Sequence, residues 1–252
     1  MSQSSKRSNN NFRPLHNLMS RMGYREWRIL VAVILILGGI WLTVAVASEV
    51  MEGDTETLDR GVLLALREPD DVNNPIGPRW FEEMMRDFTS LGGTAILILI
   101  VSSVTGYLIL LRRYKRMIVL LTAVIGGVIL STLLKGIFDR PRPDLILEGS
   151  YAFNASFPSG HALLSAATYL TLGGLLAQIQ TRFRLKAFVL LLSVLTMIIV
   201  GFSRLYLGVH WPSDVLAGWT IGAIWALFCW AAANWLQEHD TPLIETKAEA
   251  EA

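Results

Sequence analysis

Six apolar stretches, each near the length needed to cross a bilayer, constrain this chain more than any other feature. They occupy residues 29–47, 94–111, 117–134, 162–179, 187–202 and 215–235. A spanning helix needs ~20 predominantly apolar residues. Hydrocarbon offers no hydrogen-bond partners, so each stretch must close its backbone bonds internally, as a helix does. The expectation is an all-α integral membrane protein, a six-transmembrane-helix bundle. Composition agrees: 52% of residues are hydrophobic and 17% charged, where soluble domains carry about 25% charged. A net charge of +1 argues against a nucleic-acid partner. The single cysteine, Cys229, excludes an intramolecular disulfide and a cysteine-rich metal site.

The stretches divide the chain. Residues 1–28 are a polar, basic tail carrying Lys6, Arg7, Arg13, Arg21, Arg25 and Arg28 against Glu26 alone. The first span covers 29–48. It ends in Ala45-Val-Ala47-Ser48, which resembles a signal-peptidase site, but the apolar run and its basic leader are long, so a retained helix is expected. Residues 49–93 are a hydrophilic insert with eleven acids and four arginines. Leu58, Val62, Leu63 and Leu66, then Trp80, Phe81, Met84, Met85 and Phe88, recur at helical spacing on either side of Asp70-Asp-Val-Asn-Asn-Pro75. This predicts two amphipathic helices, lying on the membrane surface or capping the bundle. Residues 94–235 carry the other five helices, and 236–252 form a polar, acidic tail expected to be disordered. Gly92-Gly93, Gly126-Gly127, Gly173-Gly174 and Gly218-x-x-x-Gly222 are places where helices can approach closely.

Basic loops set the orientation. Arg112, Arg113, Lys115 and Arg116 follow the second stretch, and Arg182, Arg184 and Lys186 follow the fourth. With the basic N-terminus they mark one face as cytoplasmic. Both termini then lie inside and the insert outside.

That orientation brings three polar clusters to the outer end of the bundle. The third stretch ends at Lys135-Gly-Ile-Phe-Asp-Arg-Pro-Arg142-Pro143, the fourth starts after Pro158-Ser159-Gly160-His161, and Ser203-Arg204 to His210 and Asp214 join the fifth to the sixth. Lys135, Arg140, Arg142 and Arg204 break the positive-inside bias, and cations near hydrocarbon are costly unless something compensates them. An anion they bind is the simplest compensation. Lys135 and Arg142 suit phosphate oxygens. Ser159 and Gly160 open a helix, whose first N–H groups and dipole favour the same anion. His161 beside them can protonate a departing alcohol oxygen. If a helix begins at Pro212, Asp214 reaches back four residues to His210, fixing its tautomer and freeing the other nitrogen to attack phosphorus. Arg140 has three readings: a second phosphate contact, a headgroup contact, or a partner of Asp139.

The combination Lys135-x6-Arg142-Pro143, Pro158-Ser159-Gly160-His161 and Ser203-Arg204-x5-His210-x3-Asp214 resembles the type 2 phosphatidic acid phosphatase superfamily, whose soluble relatives include vanadate haloperoxidases. The resemblance covers about residues 90–235, with all three motifs complete and in order. It implies a membrane lipid phosphate phosphatase. His210 would be the nucleophile forming a phosphohistidine, Asp214 its orienting partner and His161 the general acid. Lys135, Arg142, Ser159, Gly160 and Arg204 would bind phosphate, with no metal and no cofactor. The implied partners are a lipid phosphate substrate and the bilayer, and the implied location is a bacterial cytoplasmic membrane with the site on the extracytoplasmic face. Candidate substrates are phosphatidate, phosphatidylglycerol phosphate and undecaprenyl diphosphate. The motifs leave open transfer to a second lipid or to lipopolysaccharide, and a transport or structural role for a degenerate site. Residues 144–157, with Leu145, Ile146, Leu147, Tyr151 and Phe153, are a candidate lid.

Overall fold

The computed structural model describes residues 24–144 and 155–239. In chain order these form α1 (Tyr24–Glu52), α2 (Glu56–Leu64), β1 (Arg67–Glu68), β2 (Asp71–Pro75), α3 (Arg79–Ser90), α4 (Thr94–Leu110), α5 (Tyr114–Phe138), α6 (Gly160–Ile179), α7 (Phe183–Tyr206) and α8 (Pro212–His239). Five segments are long and apolar enough to cross a membrane: Ile29–Glu52 of α1, all of α5, α6 and α7, and Pro212–Asn234 of α8. The sixth expected span, residues 94–111, does not stand alone as a span of that kind. Helices α3 and α4 pass the same test only together, with a 48° bend between them. Large apolar side chains such as Ile98, Leu110, Ile129, Leu133, Phe183 and Leu191 face outward along the bundle. A surface of that kind suits hydrocarbon and not water.

Helix α6 is the centre, packed against α5, α7 and α8. Its buried positions are mostly small, including Ala162, Ser165, Ala166, Ala167, Thr168, Thr171, Gly173 and Ala177, so neighbouring backbones come close. Gly218 and Gly222 of α8 meet this face. A Cβ on Gly222 would stand 2.3 Å from the Leu163 carbonyl oxygen. Helix α1 packs on α8, and its Ala47 joins Phe157, Leu163, Ala217 and Ile221 in a buried cluster. Two residues of the signal-peptidase-like sequence, Val46 and Ala47, thus pack in this cluster.

The insert departs from expectation. Helix α1 runs to Glu52, so the polar segment begins inside a helix. Where a break was expected, β1 and β2 form an antiparallel hairpin. Its turn side is shaped by Asp71 Oδ1, which accepts from the Asn73 amide at 3.1 Å, a local bond that competes with helix. The expectation of an all-α chain fails over those few residues. Helix α2 packs on α8, and α3 on α7. Phe81 and Tyr206 meet edge-on at 5.1 Å, and the Tyr206 hydroxyl donates to the Ile76 carbonyl at 2.7 Å. The insert therefore caps one end of the bundle. Gly92 marks the bend between α3 and α4, where a Cβ would lie 2.4 Å from Val200 Cγ1.

Candidate active site

Four helix ends meet under the insert, and each presents chemistry. Lys135 lies in the last turn of α5. Gly160 and His161 open α6, with Ser159 as its N-cap. Arg204 lies in the last turn of α7, and Asp214 in the first turn of α8. The structure thus brings all eight sequence-expected residues to one end of the bundle, with Arg142 and His210 in the connecting segments.

The helix start at Pro212 makes the His210–Asp214 pair. Proline fits there because its missing N–H would have had no intrahelical partner. Asp214 then occupies the third helical position, from which a carboxylate reaches back to the capping residue's N–H. Its Oδ2 accepts from the Trp211 amide at 2.9 Å and lies 3.3 Å from His210 Nδ1. Both side chains are buried. With Nδ1–H directed at the carboxylate, Nε2 carries the free lone pair. Arg142 Nη1 stands 3.3 Å from Nε2 and donates to the Val209 carbonyl at 2.8 Å. Burial pushes the His210 imidazole down to about 4 against the opposing pull of Asp214, so the ring is neutral at physiological pH.

The cations converge on the same place. Arg204 Nη1 donates to Thr89 Oγ1 at 3.0 Å, while its Nε is buried with no partner among the described residues, as is Ser159 Oγ. Two unpaired buried polar groups beside a basic cluster fit a phosphate. A Cβ on Gly160 would lie 3.6 Å from Lys135 Nζ and 3.4 Å from Ser131 Oγ, which places the lysine beside the α6 N-terminus. One expectation needs correction. The Ser159 backbone N–H is not available to an anion, because it donates to the Asp214 carbonyl at 3.0 Å. The first-turn N–H groups of Gly160 and His161 have no partner further back in their own helix, and Ser159 retains its hydroxyl.

Three further residues, Ser156, Asp59 and Thr89, were not singled out as parts of the site, and the place of a fourth, Arg140, was left open. Ser156, fully buried, donates its hydroxyl to Asp214 Oδ2 and sits 3.4 Å from His210 Nδ1. Among the described residues Arg140 pairs with Asp214 and Asp59 rather than with Asp139. Its Nη1 donates to Asp214 Oδ1 at 2.7 Å and its Nη2 to Asp59 Oδ2 at 2.8 Å. Asp59 comes from α2 in the insert and also accepts from the Ser213 amide at 2.9 Å. Thr89, on α3, holds Arg204 as described. No motif marks these residues; the only signals are a second Arg-Pro pair and an acid on the apolar stripe of a short helix. The expected lid apolars, Leu145, Ile146, Leu147, Tyr151 and Phe153, lie outside the described residues.

Comparison with known proteins converges on the same segment. The model of the PAP2 superfamily matches residues 116–238. Phosphatidylglycerophosphatase B of Bacillus subtilis (strain 168) is 27% identical over 196 residues, covering 76% of this chain and 89% of that protein. The undecaprenyl-diphosphatase of Sulfolobus acidocaldarius is 30% identical over 131 residues, covering 50% of this chain and 59% of that protein. The crystal structure of a transmembrane PAP2 type phosphatidylglycerolphosphate phosphatase from Bacillus subtilis matches with a TM-score of 0.70 at 21% identity, over 83% of this chain and 99% of that one. At that identity the last likeness is one of fold. Bundle and relatives together define a helical membrane enzyme of the lipid phosphatases, which are phosphoric monoester hydrolases. Residues 116–238, just under half of the chain, carry the likeness to the PAP2 superfamily, and the curated and solved relatives are PAP2 lipid phosphatases.

Proposed function

We propose that this protein removes a terminal phosphate from a membrane lipid through a phosphohistidine intermediate, at the extracytoplasmic end of a six-span bundle. The bent α3–α4 pair serves as one span, and both termini lie in the cytoplasm. Phosphatidylglycerol phosphate is the first-choice substrate, because the Bacillus subtilis relative that acts on it is matched along 89% of its length.

In the first step the Nε2 lone pair of His210 attacks phosphorus, and the bond from phosphorus to the lipid oxygen breaks. His161 gives that oxygen its proton. Asp214 balances the charge left on the imidazole ring. Lys135, Arg142 and Arg204, with Ser159 Oγ and the first N–H groups of α6, hold the equatorial oxygens as their charge develops. In the second step His161 takes a proton from water, the water oxygen attacks phosphorus, and the N–P bond returns its electron pair to Nε2 as phosphate leaves. A site at the bundle end lets the lipid keep its tails in the bilayer while its headgroup enters.

The observation that carries this reading is the buried His210–Asp214 pair, with Nε2 turned toward Arg142. The test is phosphate release by detergent-purified protein from phosphatidylglycerol phosphate, phosphatidate and undecaprenyl diphosphate, beside His210→Ala. Release by the native protein and its loss in the variant support the proposal. Equal release by both removes His210 as nucleophile and overturns it.

A further inference from the structure

The extracytoplasmic insert reaches the reacting histidine through a buried chain of charges. Asp59, with no exposed side-chain surface, faces Arg140, 13% exposed, at 2.8 Å. Arg140 in turn faces the fully buried Asp214 at 2.7 Å, and Asp214 lies 3.3 Å from His210. Ser213 ties Asp59 to Arg140, its hydroxyl donating to Asp59 Oδ2 at 2.5 Å while accepting from Arg140 Nη1 at 2.7 Å. Thr55, the N-cap of α2, accepts from Arg140 Nη2 at 3.3 Å. The Arg140 guanidinium lies 5.5 Å from the centre of the Trp211 ring, and its own carbonyl accepts from the Ser156 amide at 2.8 Å. The guanidinium is thus fixed on several sides, although it touches neither His210 nor the phosphate cradle.

We infer that Asp59 and Arg140 are positioning residues for the nucleophile: they share the charge of Asp214 and so set how strongly that carboxylate draws a proton onto His210. The inference rests on the reading of His210 as nucleophile. Asp214, left alone with the histidine, would favour the imidazolium, which cannot attack. Arg140 takes up part of that charge, and Asp59 keeps Arg140 from neutralising Asp214 completely. The two act on His210 with opposite signs, because one is a cation and the other an anion. Other charges surround the pair. Asp214, Arg204 and Arg142 act on His210, with His161 across the site. His210 and Arg140 act on Asp214, as does Lys135. None of these changes in the variants below.

The structure also shows a purely architectural alternative, since Asp59 caps the start of α8 through the Ser213 amide. The two roles separate in the pH profile. Full-length protein in detergent would be assayed for phosphate release from phosphatidylglycerol phosphate between about pH 3 and about pH 8, following the acid limb of kcat/KM. Arg140→Gln should move the limb up by about half a pH unit or more, and Asp59→Asn should move it down by a smaller amount. Arg140→Lys should restore the native position. In all three kcat carries the change, and KM stays within about twofold of the native value because the phosphate cradle is untouched. Opposite displacements support the inference. Limbs that stay in place, or move the same way, overturn it whatever happens to the rate. Should Arg140→Gln not fold, the nearly isosteric Asp59→Asn decides alone by its downward shift or lack of one. His210→Ala in the same series keeps the two proposals apart: activity surviving that change sinks the nucleophile, whereas unmoved limbs with His210 essential sink only the positioning role.

Discussion

Replacing Gly160 with alanine separates the fold from the chemistry. The added methyl carbon would stand 3.4 Å from Ser131 Oγ and 3.6 Å from Lys135 Nζ. Both are ordinary contacts, so the bundle should accept it without movement. Alanine at the start of a helix also costs less backbone entropy than glycine, by up to about 1 kcal/mol. The variant should therefore melt at or slightly above the native temperature. Its chemistry should suffer. A phosphate oxygen bonded to Nζ sits about 2.8 Å away and keeps about 3.3 Å from any carbon. A methyl only 3.6 Å from the same nitrogen denies the oxygen the side of Nζ that faces the α6 N-terminus. Losing one charge-assisted hydrogen bond costs about 1.5–3 kcal/mol, or roughly 10- to 150-fold in rate. The assay is kcat/KM for phosphate release from a short-chain lipid phosphate, with inhibition by inorganic phosphate and thermal unfolding measured in the same detergent. Rate and phosphate affinity should fall together while stability holds. A kcat/KM within twofold of native, at native stability, would refute the cradle built around Gly160; a lowered melting temperature would refute the packing argument.

Other substitutions probe other parts. His161→Ala should lose about 10²–10⁴ in kcat on lipid phosphates but far less on p-nitrophenyl phosphate, whose leaving group needs no proton; equal losses on both would remove the general-acid role. The native acid limb of kcat/KM should lie near pH 4, where burial holds the His210 imidazole. The sign follows from the nucleophile being the neutral ring: activity rises with pH through that value, and a limb near 6.5, the ordinary histidine value, would contradict it. Gly222→Val should destabilise by about 1–3 kcal/mol or more, because a Cβ there stands 2.3 Å from the Leu163 carbonyl; unchanged thermal unfolding would contradict the close α6–α8 packing.

Much of this was legible in the sequence because two strong local rules operate. Uncharged runs of membrane length leave the backbone only one way to satisfy itself, so α5 to α8 fall where the apolar stretches do. The pair at His210 and Asp214 was readable because Pro212 fixes where α8 starts, and helix geometry then carries the aspartate back one turn. The second stretch was harder. Residues 94–111 look like an independent span, yet α4 passes as one only together with α3, and Val200 packs closely on Gly92 at the bend between them. That contact lies between residues more than a hundred positions apart, and no local pattern reports it.

The same holds for the residues that hold the site in shape. Arg140 was ambiguous because a cation two residues before Arg142 has many possible partners, and the actual ones, Asp59 and Asp214, lie 81 and 74 positions away. Ser156 precedes the Phe157-Pro158-Ser159 segment and carries no signal of its own, since one serine in a loop is unremarkable until Asp214 is seen beside it. The division has a chemical cause. Groups that touch phosphate must match one fixed shape and charge, which restricts them to a few residue types at set spacings along the helix ends. Groups that steady Arg140, Arg204 and the start of α8 need only supply an acceptor or a counter-charge from whichever element lies nearby. Here the nearby element is the insert, the stretch richest in acids, and it contributes Asp59 on one side and Thr89 on the other. If the positioning role of Asp59 holds, this hydrophilic segment is part of the enzyme's electrostatics, and exchanging it for another sequence should alter the pH dependence of turnover while the eight motif residues stay in place.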